Sequence, residues 1–163
     1  MQLSICEKFT ESDDGWEKYI NWIGLPHLHE VRTIDVSLNP VLVEYYQISS
    51  VEELIEKINE LPEYNAEEYY IRLAINRTEE EIPGLSNLSV KLLGYDLADY
   101  TEVSSILNCT HLTNEEISFG DRMNPFGLLS YEDALHFQKI LPEVWKDEAH
   151  AYVDIWAVFE FII

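Results

Sequence analysis

His27 and His29 are the one pair of histidines at i,i+2 spacing, and Glu30 follows them. On a strand those two positions share a face, so both imidazoles could turn toward one metal ion. Zinc needs at least one further ligand, and a catalytic site adds an open position. The other histidines, His111, His136 and His150, are each isolated, and no HExxH or paired-cysteine knuckle occurs. The pair reads as polar residues in a loop entering a strand. No metal site and no cofactor are expected.

Nucleophilic chemistry has still less to work with. Cys109 precedes His111 by two residues, close enough for an imidazole to activate a thiol on a suitable turn. Sequence neighbours seldom provide that geometry. There is no GxSxG elbow, no SxxK and no catalytic-cysteine signature. Neither GxGxxG nor GxxxxGK is present, which removes the common phosphate-binding loops.

Carboxylates are abundant instead. Asp96, Asp99 and Glu102 follow Leu92, Leu93 and Tyr95 at the end of an apolar run. Asp154 and Glu160 interrupt the apolar segment near the C-terminus, and Asp35 lies in an alternating stretch. General acid–base catalysis needs two carboxyls whose surroundings push their pKa values apart, and spacing does not reveal that. The ordinary reading of Asp154 and Glu160 is a strand end, or pairing with Arg32, Arg72 or Lys91 on neighbouring strands. Asp96, Asp99 and Glu102 read as a strand exit onto an acidic surface. No catalytic residue is assigned.

That surface is the strongest constellation. The stretch Glu44–Glu68 holds eight acids (Glu44, Glu52, Glu53, Glu56, Glu60, Glu63, Glu67 and Glu68) against one base, Lys57. On a helix, Glu53–Lys57 is a favourable i,i+4 pair. Glu52–Glu56 and Glu56–Glu60 are unfavourable ones, each costing roughly 0.2–0.5 kcal/mol. Glu60 and Glu63 fall where the helix dipole disfavours anions. Glu79, Glu80 and Glu81 add three more acids before Pro83 and Gly84. A solvated face would look similar. A surface shaped for a cationic partner would tolerate this locally unfavourable arrangement, with Tyr64, Tyr69 or Tyr70 as aromatic anchors.

The elements that must carry these residues are legible. Trp16, Tyr19, Ile20 and Ile23 predict a helix over Asp14–Gly24, capped by Asp14 with Glu17 and stopped by Gly24 and Pro26. Val51, Leu54, Ile55, Ile58 and Leu61 form one stripe of a second helix, with Ser50 and Glu53 as a capping box and Pro62 as the stop. Ser130 and Asp133 begin a third, over Tyr131–Trp145. Its apolar face is Ala134, Leu135, Phe137, Ile140, Leu141, Val144 and Trp145, and Pro142 should kink it or end it near Leu141.

Strands alternate over Met1–Phe9, Thr33–Leu38, about Val41–Tyr46, Tyr69–Asn76 and Leu88–Tyr95. The C-terminal YVDIWAVFEFII is apolar on both faces apart from Asp154 and Glu160, which predicts a strand covered on both sides. Two strands follow each other without an intervening helix, so strict βαβ alternation fails. The expectation is a single α+β domain with a mainly antiparallel sheet and about three helices. The irregular region Asn108–Leu129 is long enough to suggest a functional loop.

The totals bound the rest. A chain of 163 residues with 47% hydrophobic content suits one domain with its own core. The formal charge is −21, from 31 acids against 10 bases. Solubility alone asks for a magnitude of only about 2–8. Direct binding to nucleic acid or to an anionic membrane is disfavoured, because phosphate neutralisation needs clustered Lys and Arg. A basic protein partner is favoured, and the field would steer its association. Cys6 and Cys109 form no disulfide framework. There is no signal-peptide pattern and no apolar run near the roughly 20 residues of a membrane span, so a cytoplasmic location is expected. Oligomeric state is left open.

Size, acidity, the α+β pattern and the lack of catalytic motifs together resemble the immunity proteins of bacterial polymorphic-toxin and contact-dependent inhibition systems. The resemblance implies a non-enzymatic protein that blocks a basic toxin domain, often a nuclease, and it transfers no residue-level role. LGYDLADYTEVSSILNC, FGLLSYEDALHFQKILPE and DIWAVF also resemble a set of small uncharacterised bacterial proteins. The expected partner-binding residues are Glu52, Glu53, Glu56, Glu60, Glu63, Tyr64, Glu67, Glu68, Glu79, Glu80 and Glu81. The alternative is a small metal- or carboxylate-dependent hydrolase.

Overall fold

A computed structural model describes residues 1–7, 42–60, 69–76, 88–99, 117–124 and 128–162. Within them lie β1 (Gln2–Glu7), β2 (Leu42–Gln47), α1 (Val51–Asn59), β3 (Tyr69–Asn76), β4 (Val90–Ala98), α2 (Tyr131–Val144) and β5 (Asp154–Phe161). The strands form one five-stranded sheet in the order β2-β1-β3-β5-β4. Every neighbouring pair is antiparallel. The fold is α+β, as the interleaving of periods predicts. The helix and strand expected at Asp14–Gly24 and Thr33–Leu38 lie outside the described residues, which hold two α-helices.

Both helices pack on one face of the sheet. Alternation and register put Leu3, Ile5, Ile71, Leu73 and Ile75 on that face, and Leu54 of α1 closes over them. Tyr95, Leu97, Ile155 and Ala157 continue the same face, covered by Ala134, Phe137 and Leu141 of α2. Phe159 packs against both clusters and joins them.

Both helices depart slightly from expectation. In α1, Leu54 is buried and Ile58 partly so, while Ile55 turns about 100° away and is 43% exposed. Leu135 of α2 is likewise exposed. Pro142 does not end α2, which runs on to Val144. Pro142 removes a single donor, and the helix still closes beyond it: the C-cap Trp145 N–H donates to Leu141 O at 2.8 Å. Burial of Phe137, Leu141 and Trp145 holds the last turn in place.

The opposite face of the sheet carries Arg72, Ala74, Asn76, Asp96, Ala98, Trp156 and Glu160 by alternation and register. It is not a solvated face. Ala74, Ala98 and Trp156 form a buried cluster there. The two-sided burial expected of the C-terminal strand holds for β5, with Ile155, Trp156, Ala157 and Val158 all buried. It extends to β3, where Ile71 through Ile75 are buried without a break.

Strand β4 lies at the sheet edge and reaches further than its alternation suggests, through Asp96 to Ala98. Its register shifts between Leu92 and Gly94. Gly94 adopts φ +152°, a region that L side chains rarely enter. Beyond the shift, Tyr95 and Leu129 exchange two backbone hydrogen bonds of 3.0 and 2.9 Å. Asn124 clamps the same place, donating through Nδ2 to Leu93 O at 2.8 Å and accepting from Leu128 N–H at 3.2 Å. Part of the edge is thereby covered.

Candidate functional site

Of the expected partner-binding residues, Glu52, Glu53, Glu56 and Glu60 are described, all on α1 or at its C-cap. Glu63, Tyr64, Glu67, Glu68, Glu79, Glu80 and Glu81 lie outside the described residues. Tyr69 and Tyr70 open β3, and Glu44 lies in β2.

The four glutamates have different jobs. Ser50 is the N-cap and its Oγ accepts from Glu53 N–H at 3.1 Å, as the capping pattern predicts. The reciprocal contact goes one residue further back. Ser49 donates to Glu53 Oε2 from its backbone N–H at 2.7 Å and from its hydroxyl at 2.5 Å. The Ser49 hydroxyl, then its backbone N–H, hold the Glu53 carboxyl below the usual carboxylate range. Glu53 is thus committed to building the helix N-terminus.

Lys57 pairs with Glu60 rather than with Glu53, contrary to the expected i,i+4 pair. Its Nζ lies 2.7 Å from Glu60 Oε2 and 4.7 Å from the centre of the Tyr46 ring. Its charge is the weakest of the influences on Glu53. The Tyr46 ring draws the ammonium to that flank, where Glu60 is within reach. Glu60 therefore carries its own counter-charge at the helix end, and the dipole penalty expected there is offset.

Glu52 and Glu56 remain. Both are exposed and make no ion pair among the described residues. They stand one turn apart, with exposed Ile55 and Asn59 at the neighbouring helical positions. The outward ridge of α1 is therefore two like-charged carboxylates around one isoleucine. Lys57, the sole base between Glu44 and Glu68, is on another flank. This arrangement presents acceptors for Lys or Arg and nothing for an anion.

Asp96 and Asp99 correct the sequence reading. They do not lie on an acidic surface: they are 1% and 3% exposed. Strand β4 continues through Asp96 and stops at Ala98, one residue before Asp99, and the face that receives Asp96 is covered. Asp96 Oδ1 accepts from Leu97 N–H at 2.8 Å. Asp99 Oδ2 lies 2.5 Å from Nδ1 of half-buried His150, on the short 3-10 turn Ala149–Ala151. His150 had no sequence signal beyond its type, because its partner is 51 residues away. Glu102 lies outside the described residues.

Asp154 and Glu160 follow the structural reading of the sequence. Asp154 begins β5 and its Oδ2 accepts from Asn76 Nδ2 at 3.0 Å. Glu160 Oε2 lies 3.1 Å from Arg72 Nη2, with the Arg72 side chain fully buried and the Glu160 side chain 29% exposed. Directly opposite positions on β3 and β5 make this pair a product of the register.

Among the described residues no three His, Cys, Asp or Glu side chains group so as to hold a metal ion. His27, His29, Glu30, Cys109 and His111 lie outside them, and so does any pairing of Cys6 with Cys109. No described helix is long and apolar enough to cross a membrane. Comparison with protein-family models, with curated proteins and with solved structures finds no match.

Proposed function

We propose that this protein is a non-enzymatic, acidic binding protein that neutralises a basic partner. One observation carries the reading. Glu52 and Glu56 are exposed on α1 and have no cation of their own among the described residues, where Lys57 is held by Glu60 and the Tyr46 ring. The chain around them has a net charge of −21. Like charges one turn apart weaken a helix, so their placement is better explained by a cation that arrives from outside. Glu63, Tyr64, Glu67, Glu68 and Glu79–Glu81 are further partner contacts in this reading.

The resemblance to immunity proteins supplies the partner class: a toxin domain, with a basic nuclease as the chemistry that fits best. Carboxylates would meet the Lys and Arg side chains that otherwise hold phosphate. The reading takes the chain as one cytoplasmic α+β domain with about three helices, without a cofactor and without direct contact to nucleic acid or membrane.

The test is substitution. Glu52→Gln with Glu56→Gln should weaken binding at least tenfold at low salt and leave thermal unfolding within about 0.5 kcal/mol of the parent, because exposed like-charge pairs contribute only tenths. Adding Glu60→Gln removes an exposed pair worth about 0–1 kcal/mol, so it too should leave the domain folded. Unchanged affinity in the triple variant would mean that the partner docks elsewhere.

A second reading, a small hydrolase, rests on Asp99 and His150. A buried carboxylate beside Nδ1 fixes the orientation of an imidazole, as an acid–base pair requires. Metal retained after exhaustive dialysis, or hydrolytic activity lost in His150→Gln, would favour it over the binding protein.

A further inference from the structure

We draw no further inference here: the strongest candidate, the row Asn76, Trp156 and Asp96 on the face of the sheet opposite the two described helices, where the buried indole N–H of Trp156 has no partner among the described residues, carries nothing because nothing in the structure shows what covers that face.

Discussion

Replacing Gly94 with Ala tests the geometry of the β4 edge. Ordinarily such a change stabilises a protein by roughly 0.4–1 kcal/mol, through the lost freedom of the unfolded chain. Here the sign should reverse. At φ +152° an L residue is strained, at a cost of about 1–3 kcal/mol. A Cβ would also sit 2.7 Å from Leu128 Cβ, 3.0 Å from Asn124 Nδ2 and 3.0 Å from Leu129 O. Leu129 O is backbone within a two-bond bridge, and Asn124 Nδ2 is tied to Leu93 O, so neither yields without breaking a hydrogen bond. Crowding of this kind costs about 1–3 kcal/mol. The net expectation is a loss of about 3 kcal/mol, or roughly 6–12 °C in Tm for a chain of this size. Urea unfolding followed by tryptophan fluorescence reads it, since Trp145 and Trp156 are both buried. Gly120→Ala is the control, because a Cβ there meets nothing within 4 Å. Equal stability of the two variants would refute the strained bulge.

The remaining predictions follow from charge. Glu160→Gln should destabilise by about 2 kcal/mol, because it takes the charge from one member of an ion pair whose other member is a fully buried guanidinium. Urea unfolding of the variant against the parent reads the loss. Glu53 is held below its usual range by Ser49, and Asp133 by the Arg122 guanidinium and then Ser130. A depressed folded pKa stabilises above the unfolded value and is lost as pH falls through the folded one. Both contributions should therefore be complete at pH 7 and disappear below about pH 4, and Glu53→Gln with Asp133→Asn should flatten that limb of a stability–pH curve. Between pH 7 and about 5, relief of self-repulsion acts in the opposite direction, so the stability maximum should lie on the acid side of neutrality.

The antiparallel α+β fold was legible because period does not depend on distant partners. Leu3 and Ile5 point into the core as alternation requires, and the Ser50 and Ser130 caps stand where their patterns place them. The apolar two-sidedness of β5 was also legible, but its consequence reaches beyond β5. A layer that covers Trp156 and Val158 must also cover their neighbours Asn76, Ala74, Asp96 and Gly94. That inference would have taken Asp96 out of solvent at once. It was hidden because an aspartate after an apolar run looks like a strand end, and strand length is set by pairing with a distant strand. Asp99–His150 and Lys57–Tyr46 were invisible for the same reason: side-chain choice among several partners is decided by tertiary position. On α1 the spacing of acids was readable, whereas which of them had a counter-charge was not.

The central claim is that an external cation answers Glu52 and Glu56, and its most direct test is a salt-graded pull-down from the lysate of the protein's own host. Tagged parent protein and the Glu52→Gln/Glu56→Gln variant are loaded side by side, washed at low salt and eluted at high salt. The account predicts a stoichiometric basic protein on the parent, released by salt and depleted on the variant, since association between opposite fields weakens as the Debye length shrinks from about 10 Å at 0.1 M to 3 Å at 1 M. A partner retained equally by both proteins, or one that salt does not release, would contradict it.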